Sequence, residues 1–288
     1  MNIITFYEMF KTDKDCLDYL REHRYKGFKC PKCGNGKFWM IYSRKCMECA
    51  GCGHQEYLTA GTIFHKSRTK LIKWFYAINL ITTAKKGVSA LWLKDQIKVT
   101  YKTAWRILHK IREAMDNDDD DSDMFGGITE VDETYIGGKE KFKHADKRTK
   151  NTQGRNTKTK TAVFGMLNRG GDVETEVVKN VSKSTLHALI HGKIKKGSKV
   201  MSDEWRSYNG LDKHYDHGKV NHSRGNYVNG EDHTNGIENF WSLLKRGIIG
   251  IYHHVSKKWL HNYLAEFEFR YNYRKSKASL FDILLTKV

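Results

Sequence analysis

The chain has 288 residues, enough for one large domain or two to three small ones. Lys and Arg number 51 against 33 Asp and Glu, a net charge of +18 with a pI near 9.5, which points to a polyanion such as nucleic acid as partner. No apolar run approaches the ~20 residues of a membrane helix, and MNIITFYEMFKTDKDC lacks a basic region followed by an apolar one, so neither a membrane partner nor a secretory leader is expected.

Residues 1–25 open with a short helix: Phe6, Met9 and Phe10 precede it, and Leu17 and Leu20 continue its apolar face. The six cysteines are Cys16, Cys30, Cys33, Cys46, Cys49 and Cys52, all in the first fifth. Such clustering without a leader reads as metal binding rather than as a disulfide framework. Cys30-Pro31-Lys32-Cys33-Gly34 is a knuckle, two thiolates from one tight turn. The second half, Cys46-Met-Glu-Cys49-Ala-Gly-Cys52-Gly, offers two overlapping pairs. Cys49 and Cys52 are preferred because Cys52-Gly53 repeats Cys33-Gly34, leaving Cys46 as a spare thiol. Four soft thiolates select Zn²⁺ and leave no open coordination position, so the ion is structural.

Residues 68–115 are helical by periodicity. Leu71, Trp74, Phe75 and Ile78 line the first helix, Gly87 breaks the pattern, and Val88–Ile97 is a short second helix. Thr100 then caps YKTAWRILHKIREAM, with Ala104, Leu108 and Ile111 on one face and Lys102, Arg106 and His109 on the other. A short helix, a tight turn and a basic-faced helix make a helix-turn-helix, which places Tyr101, Lys102, Thr103 and Arg106 in a DNA major groove. The acidic run at 116–123 reads as a linker, and it lacks the glycine and terminal glutamate of a calcium loop.

Residues 126–136 read as a strand with Glu130, Asp132 and Thr134 on one face and Val131 and Tyr135 on the other. A basic loop at 139–160 suits phosphates. TAVFGMLN and VETEVV form a hairpin around Arg169-Gly170-Gly171-Asp172, residues 184–194 a helix, and Lys199–Ser202 a short strand ending in Asp203. Residues 212–233, rich in His, Gly and Asn, read as loop, and the irregular spacing of His214, His217, His222 and His233 argues against a second metal site. In the helix of His233–Lys245, Asn235 takes the N-cap position and Trp241, Leu244 and Ile248 form a buried face. Glu238 and Lys245 are seven residues apart, about two turns, and leave the same side. A last amphipathic helix covers 256–275. Asp132, Asp203 and Glu238 are the carboxylates that separate elements can converge on a two-metal site, and Mg²⁺ (or Mn²⁺) fits a site that keeps room for phosphate and water.

VDETYIGG, SDEWRSY and HTNGIENFWSLLKRGIIGIYHHVS, together with the ribbon and AGTIF at 60–64, resemble insertion-sequence transposases. The branch is the ISXO-type, which joins an N-terminal zinc ribbon to a DDE nuclease domain of RNase H-like fold. The similarity spans roughly residues 25–275. By that resemblance Asp132 and Asp203 match the family's two aspartates, Glu238 the third acid and Lys245 the basic residue seven positions on. An asparagine replaces the third acid in some relatives and Asn239 is adjacent, but the step to Lys245 favours Glu238. The resemblance implies an α/β multidomain protein: zinc ribbon with N-terminal helix at 1–64, helix-turn-helix at 65–115, acidic linker at 116–125, and an RNase H-like α/β catalytic domain with a mixed sheet at 126–288. It implies that double-stranded DNA is bound at terminal inverted repeats, that water hydrolyses the element's end, and that the freed 3′-OH attacks target DNA with no covalent protein–DNA intermediate. A homo-oligomer on DNA and a bacterial cytoplasmic, nucleoid-associated location go with that reading. The rival readings are a structure-selective nuclease and a DNA-binding regulator derived from a transposase.

Overall fold

A computed structural model describes residues 1–116, 124–137, 143–150, 157–220 and 233–288. The chain divides into two compact units, residues 1–115 with 275–288, and residues 116–274. No helix among the described residues is long and apolar enough to cross a membrane.

The first unit opens with α1 (Ile3–Met9) and α2 (Asp13–Arg24) where the sequence suggests one helix. The cause is Thr12. Its hydroxyl accepts from the Asp15 amide while the Asp15 carboxylate accepts from the Thr12 amide, a capping box that restarts the chain. Phe6, Phe10, Leu17 and Leu20 are buried, but Met9 is exposed. The ribbon is a three-stranded antiparallel sheet of β1 (Phe38–Ile41), β2 (Cys46–Cys49) and β3 (Gln55–Tyr57). Three helices follow: α3 (Leu71–Thr83), α4 (Ala90–Ile97) and α5 (Tyr101–Met115). Ser89 caps α4, Lys98 ends it at φ +50°, and the Thr100 hydroxyl accepts from the Thr103 amide at 3.3 Å to start α5. This is the short helix, tight turn and second helix expected.

The second unit is built on a five-stranded mixed sheet. Its elements are β4 (Ile128–Ile136), β5 (Thr161–Asn168), β6 (Val173–Val178), α6 (Lys183–Lys193), β7 (Lys199–Asp203), β8 (Asp216–Val220), α7 (Asn235–Gly247) and α8 (Leu260–Asn272). The strand order is β6-β5-β4-β7-β8. β4, β5 and β6 run antiparallel, and β7 and β8 run parallel to β4. That is the order and orientation of an RNase H-like sheet. Alternation sends Val131, Phe164 and Met166 to one face, against Leu186 and Ile190 of α6. Val163 and Leu167 go to the other, under Ile237 and Trp241 of α7 and Leu264 of α8. Phe125, assigned to the linker, already bonds Lys193 and Lys195 backbone and belongs to this unit.

Two further expectations change. β8 lies within the stretch read as loop. Asp216-His217-Gly218-Lys219-Val220 has little β propensity, and only pairing with β7 makes it an edge strand. The rest of that stretch, residues 221–232 with His222, lies outside the described residues, as do 117–123 of the linker and 138–142 and 151–156 of the basic loop. The second change concerns the C-terminus, expected to end the catalytic domain. A further helix, α9 (Leu280–Lys287), joins the first unit instead and packs on α2, α3 and α5. Phe281 meets the rings of Phe10 and Phe75, and Tyr19 donates to Asp282 at 2.7 Å. α5 is packed by α3, α4 and α9. His109, read as part of the basic face, is 3% exposed and lies 3.8 Å from the Trp105 ring, centroid to centroid.

Candidate functional site

β4 and β7 pair in parallel from Ile128↔Lys199 to Glu130↔Met201, where the ladder ends. Two residues beyond the last rung, on the same side of each strand, stand Asp132 and Asp203. Their carboxylates therefore sit where the two strands part. Asp203 is fixed by the turn after β7, its Oδ1 accepting the Trp205 amide at 2.9 Å. Asp132 accepts from the Trp241 indole Nε1 at 3.1 Å. Burial raises the Asp132 carboxyl to about 8, with the negative charges of Glu133, Asp203 and Glu238 adding to it.

Glu238 and Lys245 come from α7, whose apolar side is seated by Ile237, Phe240, Trp241 and Leu244. Both line a cleft of about 430 Å³ together with Asp132 and Trp241. Asn239 is exposed and does not line it. Asp203 does not line this cleft either; its charge reaches Asp132 from the strand beside it. Thr234 Oγ1 donates to Glu238 Oε1 at 2.8 Å. Partial desolvation lowers the Lys245 ammonium, and the charge of Asp132 opposes that.

The start of α7 is not held as the sequence suggests. Asn235 is its first residue, not its cap, and Thr234 in the cap position offers no side-chain bond to the backbone. The buried carboxylate of Glu130 does that work from β4: its Oε2 accepts the Ile237 amide at 3.0 Å. Its Oε1 takes Arg169 Nε at 2.8 Å, and Arg169 Nη2 donates to the His233 carbonyl at 2.7 Å. A Cβ on Gly236 would lie 2.8 Å from Glu130 Oε2, so only glycine lets the helix approach this close. Glu130 and Trp241 are thus site-building residues that sequence reasoning placed but did not recognise. A buried indole N–H requires a partner, which was the available signal for Trp241. On the opposite face Tyr208 donates to Glu133 at 2.7 Å.

In the ribbon, the Sγ atoms of Cys30, Cys33, Cys49 and Cys52 all lie within 4.8 Å of one another. Cys30 and Cys52 are 3.6 Å apart and Cys33 and Cys49 3.5 Å. A tetrahedral Zn²⁺ with bonds of ~2.3 Å needs sulfurs ~3.8 Å apart, so the four thiols fit the ion. Burial raises the Cys49 thiol, but the Gly51 and Cys52 amides and the neighbouring sulfurs outweigh it and bring it to about 7. Cys46 is outside the quartet, buried in β2. Of the loop histidines among the described residues, His217 bonds Ser202 at 2.8 Å, His233 faces Glu130 at 3.4 Å and His214 meets the His191 ring edge-on at 5.1 Å. On α5, Tyr101, Lys102 and Arg106 are exposed, and Thr103 is half-buried against Thr100.

Residues 124–272 match the model of the ISXO2-like transposase domain, and residues 11–55 that of the transposase zinc-ribbon domain. The chain is 29% identical over 277 residues to a protein of the transposable element ISH50 of Halobacterium salinarum, covering 91% of each. It is 36% identical over 109 residues to a transposase-like protein of Haemophilus influenzae, covering 38% of this chain and 87% of that one. Among solved structures it is similar to the Mos1 transposase in its strand transfer complex, with TM-score 0.32 and 10% identity over 69% of this chain and 72% of that chain. A simian T-cell lymphotropic virus intasome chain matches with TM-score 0.29 and 14% identity, over 66% and 67%.

Proposed function

Because this chain belongs to the ISXO2-like transposases of insertion sequences, we propose that it binds the terminal inverted repeats of its element and cuts and joins DNA with a divalent cation held by Asp132, Asp203 and Glu238. Asp132 and Glu238 line one cleft and Asp203 ends the strand paired beside β4, and this placement of carboxylates on two strands and a helix carries the reading. Burial first, then the charge of Glu133 and those of Asp203 and Glu238, raises the carboxyl of Asp132, and a hard divalent cation is the partner that offsets such a concentration of acid groups. Mg²⁺ or Mn²⁺ suits oxygen donors of this kind; when bound it supplies charge to activate an attacking hydroxyl and to stabilise the leaving oxygen.

The chain's own residues do the rest. Trp241 and the Trp205 amide hold the two aspartates in fixed rotamers, so their oxygens are organised before substrate arrives. Thr234 orients Glu238. Lys245 sits on the cleft wall with a charge for the non-bridging phosphate oxygens. α5 offers Tyr101, Lys102, Thr103 and Arg106 to the end sequence, and a structural Zn²⁺ on Cys30, Cys33, Cys49 and Cys52 braces the ribbon. A homo-oligomer that synapses two ends on DNA, working in the bacterial cytoplasm, completes the reading.

The test is strand transfer with purified protein, Mg²⁺ and DNA carrying the flanking repeats, beside Asp203→Ala. Nicking at the repeat and joining to target by the wild type alone is expected. Equal cutting by both proteins removes Asp203 from the site. Binding without cutting by both favours the regulator reading.

A further inference from the structure

Between the ribbon and the helix bundle, inside the first unit, runs a turn-rich segment, residues 61–69, that the proposed chemistry leaves without a role. It is not slack chain. Phe64 is buried against Trp74 and Phe75, with ring centroids 5.6 and 5.9 Å away. Thr62 Oγ1 donates to the Thr59 carbonyl at 2.8 Å and accepts the Phe64 amide at 3.0 Å. Ser67 Oγ accepts from Trp74 Nε1 at 2.9 Å and from the Thr69 amide at 3.2 Å. With its apolar side pinned, the segment turns His65, Lys66 and Arg68 outward, and all three are exposed. Lys66 is held at φ +52°, a left-handed conformation that a lysine adopts only against its preference.

This segment forms one wall of a cleft of about 800 Å³ whose other wall is α5. Lys66 and Arg68 face Lys102, Arg106 and Lys110 across it, and no aspartate or glutamate lines it. Lys110 is paired with Glu113 at 3.1 Å, whereas Lys66, Arg68, Lys102 and Arg106 make no ion pair among the described residues. Cations on opposed rigid walls repel one another, and their arrangement is favourable only with polyanion between them.

We propose that this cleft is a clamp for one strand of the DNA backbone: Lys66 and Arg68 bind phosphates at the edge of the groove that α5 enters. It rests on the reading of α5 as a DNA-recognition helix, and it adds a second wall that the helix-turn-helix alone does not supply. The two walls divide the work. Arg106 and its neighbours near the start of α5 read the sequence, while the segment sets register on the sugar-phosphate chain and carries no sequence information.

The test uses the full-length protein and measures Kd by fluorescence anisotropy from 50 to 300 mM KCl, on a duplex carrying the element's terminal repeat and on a random duplex. The double variant Lys66→Gly, Arg68→Gln is compared with wild type and with Arg106→Ala. Glycine suits the left-handed position of residue 66, so the double variant keeps the turn, and its helicity and melting temperature are checked first. Loss of two phosphate contacts is expected to flatten the slope of log K against log salt by about 1.8 and to weaken both duplexes to the same degree, roughly tenfold. Arg106→Ala is expected to weaken the repeat far more than the random duplex. An unchanged slope in the double variant overturns the clamp while leaving α5 as reader. A loss confined to the repeat duplex also overturns it, because Lys66 or Arg68 would then be reading bases. Wild-type protein that binds neither duplex overturns the DNA-binding reading of α5, and the clamp falls with it.

Discussion

At Gly165 a methyl group would lie 2.5 Å from Trp241 Cζ2 and 3.0 Å from Ile237 Cδ1. This glycine in the middle of β5 lets the indole lie flat on the sheet and reach Asp132. Gly165→Ala is expected to cost about 1–3 kcal/mol through overpacking and to lower cleavage by more than the lost stability explains, because the indole N–H leaves the aspartate. Thermal melts beside nicking rates check this; wild-type nicking in a destabilised variant would remove Trp241 from the positioning of Asp132. Glu268 behaves differently. Burial raises its carboxyl to about 8, with the charges of Asp116 and Glu174 adding and the hydrogen bond from Thr175 opposing. The folded protein thus holds a proton that an unfolded chain, with an ordinary glutamate near 4.3, releases. The resulting stability is whole below pH ~4 and is lost as pH rises through about 8. Glu268→Gln, which cannot ionise, is expected to gain on wild type steadily from pH 5 to about 8 in urea midpoints and to level off above that. A constant gap across that range would show that Glu268 is ionised throughout.

Element by element, the sequence is legible where a signal is local. The apolar faces of α3 and α7 and the hairpin of β5 and β6 rest on residues close to one another in the chain. The repeat of Cys-Gly likewise pointed to Cys49 and Cys52, and their sulfurs do meet those of Cys30 and Cys33. Signals that cross the fold stay hidden. Neither α3 nor α7 has a side-chain cap at its own start; Asp13 accepts the Ile72 amide at 3.0 Å and Glu130 the Ile237 amide at 3.0 Å. A capping carboxylate 59 or 107 residues away leaves no mark in the local pattern. β8 was missed for the same reason, since its partner strand and not its composition makes it a strand. For the ribbon, Cys49→Ser is expected to abolish zinc retention and unfold β1–β3, while Cys46→Ser keeps the metal. Metal analysis of both purified variants decides it, and zinc loss in Cys46→Ser would place the wrong thiol in the quartet.

Over the whole molecule, the first unit is discontinuous in sequence, its core completed by α9. Phe281, Leu284 and Leu285 are buried there, and at about 1.5–3 kcal/mol for each large apolar side chain they rival the 5–15 kcal/mol that holds a typical domain folded. Removal of residues 276–288 is expected to strip hydrogen-exchange protection from α2, α3 and α5 and to leave that of β4 and β5 unchanged. Undiminished protection in α3 would show that α9 is dispensable. The same arrangement makes a truncation fall unequally on the two units. Residues 116–274, with the three proposed site carboxylates, precede α9 in the chain, so a break before α9 leaves that unit all its residues while the unit that carries the ribbon and α5 lacks its closing helix. Such a chain would keep the unit proposed to cut DNA and lose the fold of the one proposed to read it. On the proposed reading, an intact α9 is then a condition for choosing where to cut.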